Sequence, residues 1–183
     1  ADQFDAIDSI AAIFDEPFAD ASALPTLRVC QLAREHVTVA LSGDGADEAF
    51  AGYRRQMFHA REEQARSVLP SALRQPLFGS LGKVWPKADW APRPLRAKST
   101  LLALSAGGEA GYARALAILA PEQRKALYGD TMLRERGEYR AEQPFEETMR
   151  DAPARSGLDR AQYADLKFWL PGDILTKTDR TSM

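Results

Sequence analysis

Residues 39 to 53 read Val39-Ala40-Leu41-Ser42-Gly43-Asp44-Gly45-Ala46-Asp47-Glu48-Ala49-Phe50-Ala51-Gly52-Tyr53. The stretch opens on the end of Val37-Thr38-Val39-Ala40-Leu41, a β-branched and almost wholly apolar run. That pattern predicts a strand buried on both faces, as in parallel sheets. A loop with two glycines follows, and then a predicted helix from about Asp47 to Val68. Strand, glycine turn and helix N-terminus together are a recurrent way to build a phosphate site. Gly43 and Gly45 allow close approach of a ligand to the backbone and permit positive φ. Ser42 offers a hydroxyl or a backbone N–H. Asp44, Asp47 and Glu48 carry too much negative charge to face bare phosphates, and a Mg²⁺ ion bridging carboxylate and phosphate oxygens resolves the conflict. The alternative is an acidic helix cap, since Asp47 and Glu48 in a first turn suit the helix macrodipole.

Other loop chemistries do not fit these residues. No Lys-Ser or Lys-Thr pair follows the second glycine, which excludes a Walker A loop. The glycine spacing is not that of the dinucleotide fingerprint, and the acidic spacing is not that of an EF-hand.

Outward from the loop, the chain reads as helical. Phe4, Ile7, Ile10, Ile13 and Phe14 recur at helical spacing over residues 3 to 14, and Asp15-Glu16-Pro17 ends that helix. Pro25 suits the first turn of a second helix, reaching about Glu35. Pro70 to Pro94, broken by prolines and glycines, predicts short helices and turns. Residues 97 to 128 predict two or more helices, interrupted at Gly107-Gly108 and Pro121. Pro144 to Arg155 predicts one short helix. Asp159 is the expected N-cap of a helix through Leu170, which Leu-Pro-Gly-Asp at 170 to 173 then breaks before a final helical segment, 174 to 183. One strand and about eight helices result. A lone strand is not a sheet, so its partners are expected on another part of the polypeptide or another chain. The chain begins at Ala1 and runs straight through Thr-Asp-Arg-Thr-Ser to Met183, which reads as a fragment of a longer polypeptide.

Composition narrows the class. With 183 residues, 45 % hydrophobic and 27 % charged, the chain can bury a core. Its 24 basic and 26 acidic side chains give a formal charge of -2, which does not support a nucleic-acid partner. No apolar run approaches the roughly 20 residues of a membrane span, and no leader pattern opens the chain. Cys30, the single cysteine, falls in a predicted helix and reads as a small buried apolar residue. It admits no intrachain disulfide, which fits a cytoplasmic setting. His36 and His59 are too scattered for a zinc site.

Three stretches carry a resemblance. They are Asp15-Glu16-Pro17-Phe18-Ala19-Asp20-Ala21-Ser22-Ala23-Leu24-Pro25-Thr26, the stretch from Val39 to Tyr53, and Leu170-Pro171-Gly172-Asp173-Ile174-Leu175-Thr176-Lys177-Thr178-Asp179-Arg180-Thr181-Ser182-Met183. In content, order and separation they resemble the synthetase domain of the glutamine-dependent asparagine synthetases. The resemblance implies an α/β fold, a Rossmann-type parallel sheet of the adenine nucleotide hydrolase-like kind. This chain, residues 1–183, would supply a mainly helical part of it with one or two strands. It also implies an ATP-dependent ligase. Such a ligase activates the aspartate side chain as a β-aspartyl adenylate, releases pyrophosphate and takes ammonia from glutamine through an N-terminal glutaminase domain. ATP and Mg²⁺ are the implied cofactors, and the family admits a homodimer.

Residue by residue, the resemblance gives Ser42, Gly43 and Gly45 to nucleotide contact and Asp47 to Mg²⁺ and pyrophosphate. It puts Asp44 beside the reacting aspartate and adenylate, as the catalytic carboxylate. Asp20 and Ser22 would line the same cleft. Lys177 reads either as a phosphate donor or as a solvated helix lysine. Asp179 and Arg180 read either as a helix start near the site or as a structural ion pair. Ala46 stands where Gly or Ser is usual, so positive φ is not expected there, and Ala49 replaces a larger apolar residue. The family's Ser-Gly-Gly-x-Asp-Ser loop and glutaminase cysteine are not in these 183 residues. The chain alone is therefore expected to be inactive. Two other functions stay open: a related ligase acting on a β-lactam precursor, a peptide or a polysaccharide carboxylate, and a non-catalytic helical interaction module.

Overall fold

The structure, a computed structural model, describes residues 5–86, 90, 92 and 97–183. Phe4, expected in the first helix, and Pro94, the expected end of the irregular middle section, lie outside them. Among the described residues there are twelve α-helices, one π-helical segment and no strand. The α/β expectation therefore has no sheet to rest on within these residues. No helix among them is long and apolar enough to cross a membrane. The chain divides into two compact units, Ala1–Phe50 with Asp165–Met183, and Ala51–Ala164.

The first unit contains α1 (Asp5–Ile13), α2 (Ala23–Arg34), α3 (Ala46–Phe50), the π-helical segment (Asp165–Leu175) and α12 (Thr176–Ser182). Helix α2 packs against both α1 and α12, and α3 packs on the π-helical segment. Phe14, Ala23 and Leu27 are buried, and the Phe14 ring stacks on Phe18 at 4.3 Å. Between α2 and α3 the run 37–43 forms neither helix nor strand, which corrects the predicted strand. Val39 is 77 % and Leu41 98 % exposed, so neither burial nor ladder hydrogen bonds hold a strand there. The pattern of the residues is that of a buried strand, but the described chain supplies nothing to bury it.

The predicted helix from Asp47 to Val68 is two helices. Ala51 takes φ 56°, which ends α3 after five residues, and α4 (Arg54–Val68) starts only after Gly52 and Tyr53. At the other end of the unit, Leu-Pro-Gly-Asp does not break the helix. The backbone widens into π turns through Pro171, and Thr176 Oγ1 donates to Pro171 O at 2.7 Å. Wider winding tolerates the missing proline N–H that would interrupt an α-helix.

The second unit is a helical assembly of α4, α5 (Ser71–Val84), α6 (Lys98–Ser105), α7 (Gly108–Leu116), α8 (Pro121–Leu127), α9 (Asp130–Arg136), α10 (Gln143–Arg150) and α11 (Gly157–Ala164). Its core joins Tyr112, Met149, Ala161 and Ala164, with Leu116 and Phe145 packed against them. Glycines permit the closest approaches. A Cβ at Gly82 would lie 2.9 Å from Leu102 Cδ2, where α5 meets α6. Helix α5 is continuous through Pro76, where short helices and turns were expected. Its packing on α6 outweighs the lost hydrogen bond. Asp159 is not an N-cap but a first-turn residue of α11; Ser156 Oγ accepts its N–H at 3.0 Å.

Candidate functional site

The sequence-predicted residues all lie in the first unit, and Asp20, Ser22 and Asp44 meet side chains of α12. Gly45 is in the left-handed region at φ 90°, where a side chain would be strained, and it makes the turn into α3. Gly43 has negative φ, contrary to the sequence expectation, but nothing lies within 4 Å of a Cβ built on it. Its role is open space rather than backbone freedom. Ala46 has negative φ, as its side chain requires.

Asp44 is exposed and oriented. Ser42 Oγ donates to its Oδ2 at 2.7 Å, and Thr178 Oγ1 lies 3.2 Å from the same oxygen. The Thr178 hydroxyl is also 3.0 Å from Ile174 O, so its single proton is shared between two acceptors. Asp44 Oδ1 has no hydrogen bond among the described residues. Asp47 is exposed on α3, without hydrogen bond or ion pair among them, whereas Glu48 beside it is buried. No cluster of three or more His, Cys, Asp or Glu side chains able to hold a metal ion is found among the described residues.

Asp20 and Ser22 form a closed polar triangle with Lys177. Lys177 Nζ donates to Asp20 Oδ2 at 2.6 Å and to Ser22 Oγ at 2.7 Å, while Ser22 Oγ donates to Asp20 Oδ2 at 2.6 Å. Ser22 N adds a bond to Asp20 Oδ1 at 2.8 Å. Partial burial pushes the Asp20 carboxyl up, but the hydrogen bonds from Lys177 and Ser22 outweigh it and hold the group below its usual value. Lys177 is 8 % exposed. It is therefore not a solvated helix lysine, and two of its three N–H donors are engaged by Asp20 and Ser22. The Lys177 backbone oxygen accepts from Thr181 Oγ1, and Cys30 Sγ lies 4.0 Å from that hydroxyl. Cys30 is half-buried rather than fully buried, beside α12. Arg180 pairs with Asp15 at 2.9 Å and not with Asp179, which replaces the expected local ion pair by one across the unit.

Asp20 and Asp44 are thus linked through α12, by Lys177 on one side and Thr178 on the other. A groove of about 660 Å³ runs alongside, with Ser42, Asp44, Lys177 and Thr178 at one part and apolar residues such as Val29 and Leu41 at another. Sequence reasoning missed Thr178. The signal was its place beside Lys177 in the third resembling stretch, but no local pattern tells that a hydroxyl there faces a carboxylate 134 residues away. In the second unit a separate cleft of about 590 Å³ is lined by Phe58, His59 and Tyr112 and contains none of the predicted residues.

Comparison with known proteins gives the chain its family. The family model for asparagine synthase matches residues 1–183, and the chain belongs to that family. It is 35 % identical over 193 residues to a Mycobacterium bovis protein provisionally named asparagine synthetase (glutamine-hydrolysing); the match covers 100 % of this chain and 26 % of that protein. It is 31 % identical over 176 residues to asparagine synthetase (glutamine-hydrolysing) 1 of Bacillus subtilis, covering 93 % of this chain and 25 % of the relative. A third relative, from Methanocaldococcus jannaschii, is 48 % identical over 68 residues. The chain thus spans about a quarter of the length of the first two relatives. No solved structure matches it significantly.

Proposed function

We propose that the protein containing this chain is a carbon–nitrogen ligase that makes asparagine from aspartate, ATP and glutamine-derived ammonia, through a β-aspartyl adenylate. The family match over the whole chain carries this reading. The relatives' glutamine-hydrolysing names, and the quarter of their length that the chain spans, support a glutaminase domain elsewhere in the full-length polypeptide. The chain then contributes one wall of an adenylating domain of α/β type. Support for that type lies in the exposed apolar run Val37 to Leu41, whose β-branched pattern suits a strand completed by further strands.

In this wall Asp44 is the carboxylate at the reacting centre, held by Ser42 and Thr178 with one oxygen left open. Ser42, Gly43 and Gly45 present hydroxyl and backbone to the nucleotide, and the open space at Gly43 suits close approach. Helix α3 has only five residues, so a helix-terminus anion site plays no part. Asp47 is the candidate metal ligand. Mg²⁺ is commonly held by one or two carboxylates plus substrate phosphates and water, and one exposed, unpaired carboxylate fits that donor set. When bound it would neutralise charge on the departing pyrophosphate. Asp20 and Ser22 are engaged with Lys177, and their contribution is to shape the cleft.

The test is aspartate- and glutamine-dependent pyrophosphate release from Mg·ATP by the full-length protein. Pyrophosphate release indifferent to aspartate would reject the substrate assignment. Asp47→Ala should lower turnover about a hundredfold and shift the Mg²⁺ requirement upward. Unchanged turnover and Mg²⁺ dependence would remove Asp47 from the metal site.

A further inference from the structure

We infer that α12 is the positioning element of this site and that Thr178 and Lys177 are its positioning residues. The inference rests on the function proposed above and adds residues that the sequence left unassigned or read otherwise. Consecutive residues of one helix reach both loops of the site. Lys177 holds Asp20 and Ser22 through two short hydrogen bonds, and Thr178 meets Asp44.

The two links differ in kind. Lys177 is almost fully buried, its partners are satisfied among themselves, and its ammonium is committed to Asp20 and Ser22. With two of its three N–H donors engaged there, this buried cation fixes the geometry of the Asp20–Ser22 loop. Thr178 is at the open side. Its hydroxyl and that of Ser42 converge on one oxygen of Asp44 from opposite ends of the sequence. The Ser42 proton, with the Thr178 proton shared between Ile174 O and Oδ2, limits rotation of the carboxylate and leaves Oδ1 without a hydrogen bond among the described residues. Packing of α12 on α2 carries the arrangement, with Thr181 buried and bonded back to Lys177 O. A carboxylate that must meet a reacting group within a few tenths of an ångström gains rate from such orientation.

The decisive variants are Thr178→Val, which keeps shape and loses the hydroxyl, and Thr178→Ser, which restores it. They are made in the full-length protein and read by steady-state pyrophosphate release with ATP and aspartate varied, alongside thermal unfolding. Thr178→Val should lower kcat about tenfold with KM for ATP unchanged and the unfolding midpoint retained, and Thr178→Ser should recover most of kcat. Lys177→Met should lower kcat as well, and Lys177→Arg should recover part of it. Wild-type kcat in Thr178→Val overturns the inference. So does a loss that Thr178→Ser leaves uncorrected, or one that follows the fraction of unfolded protein. An inactive wild type instead rejects the proposed function, so the two failures are distinct.

Discussion

His59 shows at the residue scale how a buried side chain sets a pH limit. Both ring nitrogens are buried without a hydrogen-bond partner among the described residues, and the ring tilts against Tyr112 at 4.9 Å. Burial, the largest influence, pushes its pKa below 6.5, with Glu63 opposing and Arg66 reinforcing. The unfolded chain therefore binds a proton first as pH falls. Stability from the neutral ring is complete above about pH 6.5 and declines below it, towards the lowered folded value. His59→Phe keeps a ring of similar size and removes two unsatisfied nitrogens. It should raise unfolding free energy by about 1 kcal/mol at neutral pH, and by more at pH 5.5, in urea titrations at both values. An equal effect at the two pH values would mean that His59 does not titrate between folded and unfolded states.

At the element scale, α5 and α6 meet through Gly82. A Cβ there would also come within 3.2 Å of the Leu102 backbone nitrogen, so relief requires backbone movement as well as a side-chain shift. Gly82→Ala should cost about 1–2 kcal/mol, measured by urea unfolding, although alanine is the better helix former. Stabilisation instead would mean that α5 and α6 separate at Gly82 at little cost. The same element shows what a sequence conveys and what it does not. Apolar periodicity placed α1, and Pro25 in a first turn placed α2, because both signals are local. Prolines and glycines predicted short helices and turns where α5 is continuous and a break at 170 to 173 within the π-helical segment, because a proline's cost is local while the packing that offsets it is not. Val37 to Leu41 read as a strand because residue type records an environment, and the described chain contains no partner for it. The shared loop of Ser42, Asp44 and Gly45, with positive φ at Gly45, was legible from one short stretch. Lys177's commitment to Asp20 was not, because its partner is 157 residues away.

On the scale of the whole molecule, the chain spans about a quarter of the length of the first two relatives. A nucleotide held by loops from several segments gains little from one of them, because affinity falls steeply when part of the phosphate cradle is lost. The isolated 183-residue polypeptide should show no Mg·ATP binding at micromolar nucleotide by calorimetry, whereas the full-length protein should bind. Tight binding by the isolated chain would mean that the groove beside α12 is a complete nucleotide site.

The exposed run Val37 to Leu41 bears on how the protein is made in the cell. Five consecutive uncharged, β-prone residues without proline are the composition from which cross-β assemblies nucleate when left uncovered. If the α/β domain proposed above is right, a nascent chain displays them until partner strands pair with them, a window in which chaperone supply and temperature decide between maturation and aggregation.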